Sequence, residues 1–208
     1  MATRLVLLTG FGPYEDVSEN PSELVARGMQ AERPAGTDVV CEVLPVSFAR
    51  ARERLGETLA ALGERLPDVM LGLGAHRGER YRIELRARAV SPKRGRPDVD
   101  GISAEEVATT SGPDLRTDFE RVLRAFVARE EAFTLSEEAG GYVCEHVYRS
   151  HLELGRTLRR PALFVHVPHL VHRRLERQVA DLWRLVSYGV SDSYGVSHFP
   201  PPAAGGGK

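Results

Sequence analysis

The chain has 208 residues, of which 42% are hydrophobic and 27% are charged, a composition typical of a globular protein and not of a disordered or fibrous one. Its 28 Lys and Arg residues nearly balance 29 Asp and Glu residues, so the net charge of -1 gives no general attraction to nucleic acid. No apolar run approaches the ~20 residues that span a bilayer, and no signal-peptide core precedes the first strand. We therefore expect a cytoplasmic protein that binds neither nucleic acid nor membrane.

Short apolar runs, partly β-branched, alternate along the chain with segments of helical periodicity. We interpret the runs as buried strands, at residues 4–9, 38–46, 69–73, 132–135 and 162–167. Helical spacings of three and four join Leu55, Leu59, Leu62 and Leu66, and also Leu115, Phe119, Val122 and Phe126. This alternation predicts a single α/β domain over residues 1–198, with a mostly parallel twisted sheet between two helical layers. Residues 199–208 are predicted to be a disordered tail.

Two segments carry more specific structural signals. Asn20 can cap a helix, Pro21 suits its first turn, and Glu23 stands three residues after the cap. Residues 81–90 alternate apolar with charged side chains, which predicts a half-exposed strand on a hairpin or flap near residues 81–100.

The two cysteines differ in their local sequence. Cys144 follows a predicted strand and the pair Gly140 and Gly141, at the expected start of a helix. A helix N-terminus lowers the pKa of a thiol and offers backbone N–H groups to an oxyanion. We interpret Cys144 as a candidate nucleophile, the alternative being a small core residue. Cys41 lies inside a predicted strand and is interpreted as structural, and both thiols are expected to be reduced.

A histidine ends the last predicted strand. His166 precedes Pro168, and the carboxyl edge of a parallel sheet is where α/β proteins place their sites. His166 is therefore the candidate base, although a histidine in an apolar run is often a hydrogen-bonded core residue. His169 is a competing candidate that we expect to lie beyond the strand.

The loop after the first strand contains no dinucleotide or phosphate-binding fingerprint. Its Phe11, Tyr14 and Asn20 predict an aromatic-walled pocket floor, and simple loop packing is the alternative for the two rings.

Together these segments resemble the pyroglutamyl peptidase I family of cysteine peptidases, from about residue 4 to about residue 185. The family's opening loop, T-G-F-x-P-F-G-G followed by N-P-S, is matched by Thr9, Gly10, Phe11, Pro13, Tyr14, Asn20, Pro21 and Ser22. Its cysteine motif, S-x-x-A-G-x-[FY]-[VL]-C, is matched by Ser136, Ala139, Gly140, Tyr142, Val143 and Cys144. Its histidine motif, F-[IV]-H-[VI]-P, is matched by Phe164, Val165, His166, Val167 and Pro168.

The resemblance implies removal of N-terminal pyroglutamyl residues from peptides, with Cys144 as nucleophile and His166 as base, through a thioester. It implies apolar pocket walls for the uncharged lactam ring at Phe11, Tyr14 and Val143, with Asn20 fixing the loop. The substrate is then a peptide with a blocked N-terminus. No metal or cofactor is required, and a homo-oligomer is compatible with the family.

The sequence departs from the family where a third catalytic residue is expected. Without gaps, Leu85 falls on the family's glutamate, and Glu84 takes that place after a one-residue deletion and a compensating insertion. We predict Glu84 as the group that orients His166, with Glu79 and Asp98 as lesser candidates. Gly95 stands where the family has an arginine, between Arg94 and Arg96.

These departures leave two further hypotheses. One is a cysteine amidase or acyl hydrolase with a different acyl group, and the other is a non-catalytic binding homologue on the same fold.

Overall fold

The structure is a computed structural model that describes residues 3–15, 17–89, 96–103 and 113–193. The predicted tail and the predicted domain boundary at residue 198 lie outside the described residues. No helix within the described ranges is long and apolar enough to cross a membrane.

Strands and helices alternate along the chain as expected for an α/β protein. The strands are β1 Arg4–Phe11, β2 Thr37–Leu44, β3 Val69–His76, β4 Tyr81–Glu84, β5 Arg86–Ala87, β6 Leu115–Arg116, β7 Phe133–Ser136 and β8 Ala162–Pro168. The helices are α1 Pro21–Ala31, α2 Phe48–Leu62, α3 Glu120–Val127, α4 Val143–Leu158 and α5 Leu175–Ser193.

Six of these strands form one sheet in the order β2-β1-β3-β8-β4-β7. Neighbours from β2 to β8 are parallel, whereas β4 is antiparallel to β8 and β7 is parallel to β4. The mostly parallel sheet is thus confirmed, with two strands at one side running in the opposite direction. Strand β8, which follows the other five strands of this sheet in the chain, lies where the two directions meet.

Helices cover both faces of the sheet, which confirms the three-layer architecture. On one face, the side chains of α1, α3 and α5 pack on β1, β3, β4 and β8 around the buried Trp183. On the other face, α2 and α4 pack around Phe48, Leu55 and Tyr148. The site described below lies on this second side of the sheet, at the N-terminus of α4.

The helix signals read from the sequence are confirmed at α1. Asn20 caps it, with Oδ1 accepting the Ser22 backbone N–H at 3.1 Å, and Pro21 is its first residue. The helix predicted from Leu115 onward begins later than expected. Leu115 belongs to β6, which pairs with β5 as a separate two-stranded sheet. Leu66 lies beyond the end of α2 and is exposed.

The predicted half-exposed flap is wrong for residues 81–84. β4 is an inner strand between β8 and β7, and its alternation separates two buried faces. Tyr81 and Ile83 join the core beneath α3 and α5, while Glu84 turns to the other side and is fully buried. Helix α4 covers that side, where the Tyr148 hydroxyl donates to the Glu84 carbonyl oxygen at 2.7 Å. Residues 90–95 of the predicted flap lie outside the described part of the chain.

Candidate active site

His166 sits near the carboxyl end of β8 with its ring over β3, and only 7% of the residue is exposed. A Cβ on Gly74 of β3 would lie 2.7 Å from Cδ2 of His166 and 2.8 Å from Nε2. Such distances are sub-van der Waals, so the ring position requires glycine there. His169 lies past the strand and is exposed, as predicted from the sequence.

Glu84 is the carboxylate that the structure brings to His166. Its Oε1 lies 2.8 Å from Nδ1 of His166, and both side chains are buried. Glu79 is 81% exposed and lies 4.0 Å from His172 instead. Asp98 accepts the Phe48 backbone N–H at 2.8 Å at the start of α2. Of the carboxylates that the sequence offered, Glu84 is the one in contact with His166.

Cys144 is the second residue of α4, and the chain turns sharply before it. Gly140 and Gly141 have φ values of +97° and +61°, the left-handed region that favours glycine. Tyr142 then returns to extended backbone and forms the N-cap position. The first N–H groups of a helix have no intrahelical acceptor, so the backbone around Cys144 can donate to an anionic oxygen.

The protonation of His166 is set by its two neighbours. Burial is the largest single effect and lowers the pKa of His166, but hydrogen bonds to Cys144 and Glu84 outweigh it and raise that pKa to about 9. Because Nδ1 is bound to Glu84, Nε2 is the ring nitrogen left to contact the Cys144 thiol. The arrangement therefore favours an imidazolium next to sulfur.

A second histidine, His76, lies beside His166, with 6.3 Å between the ring centroids. Its Nδ1 accepts the Gly78 N–H at 3.2 Å and its Nε2 donates to the Arg80 carbonyl oxygen at 2.7 Å. Burial lowers the pKa of His76. His76 is therefore held neutral, so it does not oppose a positive charge on His166.

The cysteine and histidine open onto a pocket. Its lining residues are Phe11, Tyr14, Asn20, Val46, Ala75, Arg96, Ala139, Gly140, Tyr142, Cys144 and His166. Asn20 shapes the loop on one side, since its Nδ2 donates to the Gly12 carbonyl oxygen at 3.0 Å. Val143 is not among the lining residues: it is fully buried in the core beneath α2 and α4. The pocket wall that was predicted at Val143 is formed instead by its neighbour Tyr142.

Arg96 is a pocket residue that was not predicted from the sequence. Its guanidinium carbon lies 4.7 Å from the centroid of the Tyr142 ring, and Nη2 lies 3.3 Å from both carboxylate oxygens of Glu15. The one available signal was its position beside Gly95, where the family's arginine is missing. The pocket thus contains a cation among mostly apolar groups.

Cys41 contrasts with Cys144 in its surroundings. It lies within β2, and burial raises its thiol pKa to about 11. A thiol with so high a pKa is almost wholly protonated near neutral pH and is a poor nucleophile.

Comparison with known proteins identifies relatives of this chain. The family model described as pyroglutamyl peptidase matches residues 4–182. Pyrrolidone-carboxylate peptidases from Chromobacterium violaceum and Halalkalibacterium halodurans are 33% and 32% identical, over 80% and 79% of this chain and 79% and 83% of their own lengths. The crystal structure of pyrrolidone carboxyl peptidase from Fervidobacterium islandicum AW-1 superposes with a TM-score of 0.72 at 26% identity, covering 91% of this chain and 99% of that one.

Proposed function

Because the chain belongs to the pyroglutamyl peptidase family, we propose that it is a cysteine peptidase that removes N-terminal pyroglutamyl residues from peptides. The observation that carries the proposal is the contact series from Glu84 through His166 to Cys144, which ends at the pocket. A buried acid, an imidazole and a thiol in this order are the parts that acyl transfer needs.

In the proposed reaction the Cys144 thiolate attacks the carbonyl carbon of the pyroglutamyl residue. The new S–C bond forms as the carbonyl π electrons move to oxygen, and backbone N–H groups at the start of α4 stabilise that oxyanion. When the C–N bond breaks, His166 gives its proton to the leaving amine and a thioester remains. Water then attacks the thioester, His166 takes the water's proton, and pyroglutamate leaves as the thiol is restored.

Glu84 has a positioning role in this proposal. Its hydrogen bond to Nδ1 fixes the ring so that Nε2 faces the sulfur, and its charge stabilises the imidazolium. Phe11, Tyr14 and Tyr142 supply apolar faces for the flat lactam ring, and Asn20 holds the loop that carries two of them.

Replacing each cysteine in turn tests the proposal. Cys144→Ala should abolish cleavage of a pyroglutamyl arylamide, whereas the control Cys41→Ala should retain it. Iodoacetamide should label Cys144 well before Cys41, because only the first has an imidazole partner. A Cys144→Ala protein that cleaves at the wild-type rate would exclude the mechanism.

Arg96 favours a second candidate, an amidase with a changed acyl group. An uncharged lactam needs no cation, whereas an anionic acyl group would gain from the guanidinium. Parallel assays of pyroglutamyl, glutamyl and prolyl arylamides decide between them. We expect the pyroglutamyl compound to be preferred, since Glu15 already neutralises Arg96, and a preference for the glutamyl compound would establish the second candidate.

We further propose a cytoplasmic enzyme, and a homo-oligomer is compatible with its family. Two cysteines that form no disulfide suit a reducing compartment. Cell fractionation tests the location, and light scattering of the purified protein tests the oligomeric state.

A further inference from the structure

The carboxylate of Glu84 is a fully buried charge whose hydrogen bonding is one-sided. Oε1 accepts from Nδ1 of His166, whereas Oε2 has no hydrogen-bond donor among the residues that the structure describes. A carboxylate removed from water is costly unless donors or an opposite charge replace the lost hydration. His166 cannot be a constant source of that charge, because it releases and regains a proton during the proposed reaction.

Arg82 is placed to supply the charge. Its Nε lies 3.8 Å from Oε1 of Glu84, and within the described ranges it is the one arginine or lysine in ion-pair distance of that carboxylate. The strand explains the approach, because residues two apart in β4 project to the same face. Arg82 is also the direct partner of His166 in the ladder between β4 and β8. A guanidinium stays charged throughout the reaction.

The same guanidinium holds the segment that leads to Cys144. Its Nη2 donates to Oγ of Ser136 at 2.8 Å and to the carbonyl oxygen of Glu138 at 3.0 Å. Ser136 ends β7, and Glu138 lies just before the turn at Gly140. One side chain therefore connects the carboxylate that contacts His166 with the loop that precedes the nucleophile.

We propose that Arg82 is a positioning residue for the peptidase reaction, which fixes the Glu84 carboxylate and, through it, the ring of His166. The inference rests on the proposed function. It predicts an effect on kcat and little effect on KM, because Arg82 is absent from the residues that line the pocket.

Arg86 provides a matched control. It stands two residues further along, and its Nε and Nη2 donate to the carbonyl oxygen of Glu137 at 3.3 and 3.2 Å. Its ion pairs in the described structure are with Asp114 and Glu137. Arg86 thus anchors the same loop as Arg82, without reaching Glu84.

The experiment measures kcat and KM on a pyroglutamyl arylamide, with thermal melting of every variant. Arg82→Gln should lower kcat roughly ten- to a hundredfold, the range for a slightly misplaced catalytic group, and leave KM within about twofold. Arg82→Lys keeps the charge and should recover part of the loss. Arg86→Gln should keep the wild-type kcat.

A double variant tests whether Arg82 acts through Glu84. In a Glu84→Gln background, Arg82→Gln and Arg82→Lys should each have almost no further effect on kcat. If Arg82→Gln does not fold, the Arg82→Lys comparison in the two backgrounds gives the same test. The proposal is overturned by a normal kcat in Arg82→Gln, by an equal loss in Arg86→Gln, or by an undiminished loss in the Glu84→Gln background. A wild-type protein that leaves the arylamide intact would instead refute the proposed function itself.

Discussion

Glu84 and His166 are 82 residues apart in the chain, yet Oε1 of the first lies 2.8 Å from Nδ1 of the second. The contact exists because β4 and β8 are antiparallel neighbours, with Arg82 opposite His166 and Ile83 opposite Val165. The candidate catalytic pair is therefore held by strand register on a rigid sheet and does not depend on a loop.

Glu84→Gln should lower kcat by about three to four orders of magnitude, the effect seen when an amide replaces the acid of a catalytic triad. The glutamine can present its NH₂ group to Nδ1 and stabilise the wrong tautomer of His166. Assay of a pyroglutamyl arylamide measures the loss. Glu79→Gln is the control and should keep its rate, since Glu79 is exposed. Near-normal turnover in Glu84→Gln would show that another group, or none, assists His166.

The raised pKa of His166 makes a prediction about stability. This pKa goes from 6.5 to about 9 on folding, so protonated His166 stabilises the native state fully below pH 6.5, and that contribution is lost as the pH rises through 9. Glu84→Gln removes one hydrogen bond that raises the pKa of His166, so the free energy of unfolding should fall less as the pH rises. Urea unfolding at pH 6.5 and pH 9 measures both proteins, with Glu79→Gln as control. Parallel pH dependences in the three proteins would contradict the coupling.

Gly74→Ala should lower kcat about a hundredfold, because the new methyl group displaces the His166 ring on which it would impinge. Gly56→Ala in α2 is the control, since its Cβ meets nothing within 4 Å. That control should keep full activity and gain up to about 1 kcal/mol of stability from the better helix former. Kinetics and thermal melting of the two proteins test this, and equal activity would mean that the ring tolerates the methyl group.

His151 in α4 predicts a stabilising substitution. It is fully buried, neither ring nitrogen has a hydrogen-bond partner in the described structure, and burial lowers its pKa to about 4. His151→Leu removes these unpaired groups at similar volume and should raise the free energy of unfolding by about 1 kcal/mol at pH 7.

The gain in the free energy of unfolding from His151→Leu should be larger at acidic pH. A histidine whose pKa is depressed from 6.5 to about 4 costs stability as the pH falls through that interval, and leucine has no such cost. Denaturant unfolding at pH 7 and pH 5 measures the difference. The exposed control, His169→Leu, should change stability by less than about 0.5 kcal/mol at pH 7. A variant at position 151 that is less stable at both pH values would mean that leucine packs poorly there.

Local signals in the sequence located most of the structural elements. The N-cap at Asn20 and the helix start before Cys144 follow from turn and capping chemistry, which depends on a few adjacent residues. The burial of β4 could not be predicted in this way. Alternating apolar and charged residues show that a strand has two different faces, but they do not show what covers each face. Only the packing of α4 over the polar face makes Glu84 a buried residue.

Local sequence also does not predict which single residues line the pocket. Tyr142 and Val143 are consecutive, and which of them faces the pocket depends on backbone angles at the glycine turn. Arg96 reaches the pocket from a segment whose path is fixed by distant contacts, such as Asp98 with the start of α2. Such long-range contacts leave no periodic pattern in the sequence.

The position of β8 has a consequence for the order in which the protein can become active. Strand β8 follows the other five strands of this sheet in the chain but is inserted between β3 and β4, so the sheet stays in two pieces, each with an open edge, until residues 162–168 are available. A nascent or truncated chain that lacks this strand has no His166 and cannot join the two pieces. Hydrolysis must therefore wait for the synthesis of β8, and a chain that stops before this strand leaves the edges of β3 and β4 open to pairing with other chains.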